Sequence, residues 1–153
     1  MNNSGSLLED FSEALFNSLS GFIVRYKRAK AKVSKRDPEH DYDLIIHNSS
    51  KIFDEFGSYI LVECKNWKDP VGYGEIAKFI HKLHSRKCRA GIIVATSGVV
   101  YKEFNPTLKR TFDQDGIAVI VIDKDDIIKI LDRSINLSSL LRKKYEGIRF
   151  GLV

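Results

Sequence analysis

The chain has 153 residues, of which 43% are hydrophobic and 29% are charged, a composition typical of one folded globular domain. Its 25 Lys and Arg exceed its 20 Asp and Glu, so the formal net charge of +5 favours a polyanionic partner such as nucleic acid. Cys64 and Cys88 are too few for a disulfide framework, and the sequence has no membrane-spanning run or signal-peptide pattern. These features argue against secreted, membrane and fibrous classes, so we expect one cytoplasmic domain over residues 1–153.

The first half of the sequence predicts one helix followed by three strands. The helix has an apolar stripe at helical spacing, formed by Leu8, Phe11, Leu15 and Leu19. Ser6 and Glu9 form a capping-box pattern that starts this helix, and Gly21 ends it. Short apolar segments predict strands at residues 22–26, 43–47 and 59–65.

The second half alternates between helices and strands. Helices are predicted at about residues 76–83, 101–113, 125–131 and 137–145, and strands at residues 91–95 and 117–122. Pro106 is expected to break or bend the second of these helices. Because the strands are continuously apolar and are separated by helices, we predict an α/β fold whose mixed sheet is covered on both faces.

Charged residues occur at the ends of two predicted strands, where a buried sheet should exclude them. In the third strand, the two-residue period places Glu63 and Lys65 on one face and Cys64 on the other. If the second and third strands pair, Asp43 and Glu63 lie side by side at one end of the sheet. Adjacent carboxylates repel unless a cation separates them, and Mg²⁺ suits carboxylate oxygens. Lys65 would then position or help deprotonate an attacking water. The alternative is a surface ion pair between Glu63 and Lys65.

Several short motifs follow one another in a specific order. They are the pair Leu8-Glu9, residues 21–24, 43–46, 60–67, 75–79 and 91–97, and the pairs Gly116-Ile117 and Ile122-Asp123. In this order they resemble the PD-(D/E)xK restriction-endonuclease-like superfamily, and within it the Mrr-like nuclease branch. The resemblance covers residues 6–132 and implies a three-layer fold in which helices flank a central mixed β-sheet, followed by a C-terminal helix at about residues 137–145.

The resemblance also implies roles for the matching residues. Asp43 and Glu63 would bind the metal, the carbonyl of Cys64 would be a further ligand, and Lys65 would be the catalytic lysine. Glu9 would be a helix carboxylate near the site, although it is alternatively only the partner of Ser6 in the helix cap. The implied metal is Mg²⁺, with Mn²⁺ able to substitute.

The sequence departs from the family pattern in two places. Many Mrr-like members carry Gln where this chain has Glu63, which leaves a competent metal-binding carboxylate. Many also have a glycine-rich segment before the aspartate, where this chain has residues 38–42. Asp41 therefore remains an alternative to Asp43, which we prefer because it directly adjoins the apolar run. Glu75, at the start of a helix, is either a dipole-stabilising acid or a member of the site.

A basic stretch at residues 27–36 precedes the acidic strand and is expected to bind the DNA backbone. Its cations are Lys27, Arg28, Lys30, Lys32, Lys35 and Arg36.

The leading hypothesis is a Mg²⁺-dependent DNA endonuclease of restriction or defence. The alternatives are a Holliday-junction resolvase of the same fold and an inactive DNA-binding module. The expected partners are double-stranded or branched DNA and a second copy of the chain, because cutting both strands of a duplex needs two sites. The apolar residues of the last helix, Leu137, Leu140 and Leu141, are candidates for that dimer contact.

Overall fold

The computed structural model describes residues 4–31 and 40–152, which form ten regular elements and one short 3₁₀ turn (Asp54–Phe56). In chain order the elements are α1 (Ser4–Asn17), β1 (Phe22–Ala31), β2 (His40–Asn48), β3 (Tyr59–Lys65), α2 (Tyr73–Ser85), β4 (Ala90–Ala95), α3 (Tyr101–Asp115), β5 (Ala118–Asp123), α4 (Lys124–Leu131) and α5 (Leu137–Phe150). No helix in these two ranges is long and apolar enough to cross a membrane.

The five strands form one mixed sheet in the order β1-β2-β3-β4-β5. The first three strands are an antiparallel meander, and β3, β4 and β5 are parallel. Side chains of α1 and α5 pack on one face of the sheet, and side chains of α2 and α3 pack on the other. The prediction of an α/β fold with a mixed sheet between helical layers is therefore confirmed.

Each central strand contributes to two separate hydrophobic cores. In β4, Ile92 belongs to the core under α1 and α5, and Ile93 belongs to the core under α2 and α3. In β3, Val62 belongs to the core under α1 and α5, and Leu61 belongs to the core under α2 and α3. Because successive side chains point to opposite faces and both faces are covered, the central strands are apolar at nearly every position.

Helix α1 begins at Ser4, so the predicted start at a Ser6 capping box is wrong. Of the predicted stripe, Leu8 is buried, and the other three residues are partly buried at the edge of the core. The most deeply buried residues of α1 are Ser12 and Phe16, because the row spaced four residues apart from Leu8 faces the sheet. The helix ends at Asn17 and a turn leads to Gly21.

Three other elements differ from the prediction. Helix α3 runs from Tyr101 to Asp115 with Pro106 inside it, so of the two expected effects the break does not occur, and the bend stays a prediction. Phe104 and Leu108 flank the proline and are buried against the sheet, and this packing offsets the backbone hydrogen bond that proline removes. Strands β1 and β2 extend beyond the predicted apolar segments because their charged outer halves pair with each other.

The three leucines proposed for a dimer contact lie inside the protein. Leu137, Leu140 and Leu141 of α5 are buried in the core against the sheet. They are unavailable to a second copy, so this part of the sequence prediction is wrong. Their apolar spacing reflects the packing of α5 within its own chain.

Candidate active site

The end of the β2–β3 pair brings two carboxylates together. The ladder between these strands runs from His47–Tyr59 to Leu44–Val62, and the next residues in the same register are Asp43 and Glu63. The Oδ2 atom of Asp43 accepts a hydrogen bond of 2.8 Å from the backbone N–H of Cys64. The carboxylate of Asp43 is therefore fixed by the backbone of the neighbouring strand.

Asp43 is in an environment that disfavours its charge. Burial is the main cause that raises the pKa of its carboxyl from 3.8 to about 6, and the negative charges of Glu63 and Glu9 raise it further. The Cys64 N–H and the charge of Lys65 act in the opposite direction without cancelling the increase. A bound cation would lower the pKa of Asp43 again, because an opposite charge nearby favours the ionised carboxylate.

Lys65 is the cation at the centre of the site. Its Nζ atom lies 3.2 Å from Oε1 of Glu63 and 3.6 Å from Oε2 of Glu75, and 5.1 Å above the ring centroid of Trp67. Burial lowers the pKa of Lys65, but the attraction of Glu63 and Glu75 outweighs it, so the pKa is raised above its usual 10.5. Lys65 is therefore a fixed ammonium group in this structure.

Glu63 has a second cationic neighbour on α2. Its Oε2 atom lies 3.4 Å from Nζ of Lys82, which also donates a 2.6 Å hydrogen bond to the backbone carbonyl of Asp41. The side chain of Glu63 is 15% exposed and lies between the two lysines. Asp41, the alternative to Asp43, is exposed and enters this arrangement through its backbone carbonyl.

Glu9 of α1 is the third acid near Asp43. Its side chain is 15% exposed, and its buried Oε2 atom lies 2.5 Å from Nε of Arg28 without completing a regular hydrogen bond. Because α1 begins at Ser4, Glu9 lies in the second turn of the helix, which excludes the alternative role as partner in an N-terminal cap.

Cys64 contributes backbone and packing contacts to the site. Its thiol donates to Oγ of Ser12 at 3.5 Å, which joins β3 to α1. Burial raises the pKa of this thiol to about 12, so it is not a nucleophile. The predicted metal contact of the Cys64 carbonyl stays a prediction. Cys88 is buried, as expected for a packing residue.

The first cations of the basic stretch pair with acids of α1. Lys27 lies 2.9 Å from Asp10 and 3.2 Å from Glu13. Arg28 pairs with Glu9 and Asp10. Arg28 lies between Lys27 and Ala29, which pair with Leu44 and Tyr42 of β2, and its φ of 54° is uncommon for a residue other than glycine.

These pairs give Lys27 and Arg28 a structural role in joining α1 to β1. Their contact with DNA stays a prediction. Lys30 is exposed on β1 opposite Asp41. The other three predicted DNA-binding cations, Lys32, Lys35 and Arg36, lie outside the described residues.

The loop after β3 borders the site. Trp67 is 42% exposed and lines an open cleft of about 550 Å³ together with residues of α1 and α4. The hydroxyl of Thr96 donates to Oδ1 of Asn66 at 2.7 Å, and that of Ser97 donates to the carbonyl of Lys68 at 3.0 Å. Both hydroxyl groups therefore brace this loop, which gives the Thr96–Ser97 pair a structural role.

The comparisons with known proteins agree with this architecture. The family model for the Mrr catalytic domain, described as a restriction endonuclease, matches residues 2–131. The chain belongs to this restriction endonuclease family. Among curated protein sequences, none is significantly similar to this Mrr domain.

A solved structure shows the same fold. The Mrr domain matches a chain named DNA modification-dependent restriction endonuclease AspBHI, with a TM-score of 0.50 and 14% sequence identity. The match covers 98% of this chain and 37% of that one. This chain therefore corresponds to little more than a third of the length of that protein, and the likeness shows the fold.

The donor set of the site fits a hard divalent cation. Within residues 4–31 and 40–152, no three His, Cys, Asp or Glu side chains are arranged as a ready cage for a metal ion. Mg²⁺ does not need such a cage, because it is commonly held by one or two carboxylates and keeps several waters. Asp43, with its raised pKa, and Glu63 supply two carboxylates at one end of the sheet.

The sequence interpretation did not single out Lys82, and it left the role of Glu75 open. The two residues are seven positions apart on α2, so they lie on one helix face, and both contact the Glu63–Lys65 pair. That seven-residue spacing is the signal in the sequence that relates Lys82 to Glu75. His81 and His84 of the same helix are exposed.

Proposed function

We propose that this Mrr domain is a Mg²⁺-dependent DNA endonuclease that hydrolyses phosphodiester bonds in restriction or defence in the cytoplasm. The observation that carries the proposal is the convergence of Asp43, Glu63 and Lys65 at the end of the β2–β3 pair. The family supports nuclease chemistry. The acids and the lysine together support hydrolysis with a divalent metal.

In this proposal Asp43 and Glu63 hold the Mg²⁺, with the Cys64 carbonyl as a further ligand and Mn²⁺ as a possible substitute. The bound metal would supply a Lewis acid that stabilises charge on the phosphate and activates water. Lys65 is held as an ammonium group by Glu63 and Glu75, so it acts by positioning the water and stabilising negative charge rather than by accepting a proton. Glu9 adds a negative charge near Asp43 and is the proposed third acid of the site.

The acidic site must still attract a polyanion. We propose that the basic stretch supplies this attraction through Lys30, Lys32, Lys35 and Arg36, with Lys27 and Arg28 at its base. Contacts of Lys and Arg with phosphates release counterions and bind DNA of any sequence. Double-stranded or branched DNA is therefore the proposed substrate.

A direct assay tests the proposal. Supercoiled plasmid, linear duplex and a four-way junction are incubated with the protein in Mg²⁺, in Mn²⁺ or in EDTA. We expect plasmid and duplex to be cut with either metal and to remain intact in EDTA. Preferential, symmetrical cutting of the four-way junction would instead support a resolvase. Binding without cleavage of any substrate in either metal would support an inactive DNA-binding module.

We also propose that the active form is a homodimer, because one domain supplies one site and a duplex has two strands. Light scattering should give the mass of two chains in the presence of duplex DNA. The plasmid assay is a second measure, since a dimer produces linear DNA early and a monomer accumulates nicked circles. A monomeric mass at high protein concentration, with and without DNA, would contradict the dimer.

A further inference from the structure

Lys82 of α2 makes several contacts with the candidate site at the end of the β2–β3 pair. Its Nζ atom donates to the Asp41 carbonyl at 2.6 Å and lies 3.4 Å from Oε2 of Glu63. The same atom is 5.8 Å above the ring centroid of Tyr42. Only 18% of the Lys82 side chain is exposed. A lysine on a solvated helix face would make none of these contacts.

The two oxygens of Glu63 have different lysines as partners. Oε1 is 3.2 Å from Nζ of Lys65, and Oε2 is 3.4 Å from Nζ of Lys82. Lys65 belongs to β3 itself, whereas Lys82 belongs to α2. The orientation of the Glu63 carboxylate is therefore defined from two sides, and one side depends on the packing of α2.

We propose that Lys82 is a positioning residue that fixes the orientation of Glu63. This inference rests on the proposed function, in which Glu63 binds the metal. The backbone contact with Asp41 anchors the ammonium group to β2, two residues before Asp43. Lys82 thus contacts both the β2 segment that carries Asp43 and the carboxylate of Glu63. These contacts fix the position of the Glu63 carboxylate relative to Asp43.

Loss of Lys82 should reduce turnover more than DNA binding. Without the ammonium group, the Glu63 carboxylate can rotate about its side-chain bonds while Lys65 holds only one oxygen. A small misplacement of a group at the reacting centre can reduce the rate about 100-fold. The affinity for DNA depends on many phosphate contacts and should change little.

The experiment compares Lys82→Met, Lys82→Arg and the control Lys109→Met. Lys109 is also an ion-paired helical lysine, 2.6 Å from Asp113, but it lies on α3, and its loss changes the net charge equally. At saturating Mg²⁺ we expect Lys82→Met to lower kcat about 10- to 100-fold with KM for DNA within about twofold. Lys82→Arg keeps the cation and should recover most of the rate. Lys109→Met should match the wild type.

A second measurement does not depend on activity. The urea midpoints of the metal-free protein are compared for wild type, Lys82→Met, Glu63→Gln and the double variant. We expect Lys82→Met to lower the urea midpoint clearly more in the wild-type background than in the Glu63→Gln background. In the Glu63→Gln background the ion pair between Lys82 and Glu63 is already absent. Equal decreases in both backgrounds would overturn the Lys82–Glu63 coupling.

The outcomes separate this inference from the proposed function. An inactive wild-type protein would overturn the nuclease proposal and the positioning role that rests on it, while the urea comparison would still decide whether Lys82 and Glu63 are coupled. An active wild type with an equally active Lys82→Met variant would overturn the positioning role alone. If Lys82→Met raises KM for DNA and leaves kcat unchanged, the positioning role is likewise overturned, and Lys82 is identified as a DNA contact.

Discussion

The carboxylate of Asp43 in β2 accepts a hydrogen bond from the backbone N–H of Cys64 in β3. This contact lies just beyond Leu44–Val62, the last pair of the β2–β3 ladder. The proposed metal ligand Asp43 is therefore placed by strand register, because a shift of one residue would turn every side chain of β2 to the opposite face. The burial that comes with this position also raises the pKa of Asp43 to about 6.

Because the pKa of Asp43 is raised, the free energy of unfolding of the metal-free protein should depend on pH. Between about pH 4 and pH 6 the folded state retains a proton on Asp43 that the unfolded state has released. The free energy of unfolding should therefore fall as the pH rises through this window, with Asp43 contributing at most about 3 kcal/mol. Asp43→Asn removes the charge, so it should be more stable than the wild type at pH 7 and nearly equal to it at pH 4.

Urea unfolding in EDTA at several pH values measures this difference. The control is Asp115→Asn, at the exposed end of α3, which should shift the curve by only a few tenths of a kcal/mol at any pH. A difference between wild type and Asp43→Asn that stays constant from pH 4 to pH 7 would show that Asp43 has an ordinary pKa. Asp43→Asn should also have no Mg²⁺-dependent cleavage.

The location of the candidate site could be predicted because it depends on strand periodicity. The predicted third strand, residues 59–65, has the same bounds as β3, and the two-residue period puts Glu63 and Lys65 on one face. The position of Asp43 beside Glu63 required only that consecutive strands pair. These relationships are local or follow from the commonest strand connection.

Other parts of the site depend on contacts that no periodic pattern records. Lys82 reaches Glu63 only because α2 packs over the end of β3, and no pattern in the sequence indicates that contact. Arg28 turns towards Glu9 from a backbone conformation with a φ of 54° that no propensity predicts. The buried leucines of α5 show the same limit, since an apolar helix stripe does not reveal whether it covers its own core or a partner.

Substitutions of the two proposed site residues, Glu63 and Lys65, should reduce DNA cleavage while leaving DNA binding intact. Glu63→Gln removes a proposed ligand charge, and Lys65→Ala removes the ammonium group, so each should reduce Mg²⁺-dependent cleavage at least about 100-fold. DNA affinity in EDTA should persist, and it should be equal or tighter for Glu63→Gln because this variant has one negative charge fewer near the phosphates. Gel-based cleavage and fluorescence anisotropy measure the two properties.

The matched control for these substitutions is Glu146→Gln on the exposed face of α5, which should cleave and bind DNA as the wild type does. If Glu63→Gln cleaves DNA at the wild-type rate, the assigned metal site is wrong and the activity must arise from other residues.

Gly21 should be intolerant of a side chain. Its φ is +90°, and a Cβ atom there would lie 2.6 Å from the backbone N and Cα of Ser50. Gly21→Ala should therefore lower the free energy of unfolding by about 2–4 kcal/mol. Gly74→Ala is the control, since a Cβ in α2 at that position meets no atom within 4 Å and should stabilise the helix by about 0.5 kcal/mol. Equal midpoints for the two variants in thermal unfolding would contradict the close approach of Gly21 to Ser50.

The basic stretch should bind DNA through charge alone. Neutralising Lys30, Lys32 and Lys35 to Gln should weaken binding of all duplex sequences alike and reduce the slope of log affinity against log salt by roughly 0.9 for each phosphate that the variant no longer neutralises. Lys27→Gln is the informative comparison, because Lys27 is paired with Asp10 and Glu13. This substitution should mainly loosen α1 from β1, which thermal unfolding detects, and change the slope less than the substitution of Lys30. Anisotropy titrations between low and physiological salt measure these slopes, and an unchanged slope in the triple variant would place the DNA-binding surface elsewhere on the protein.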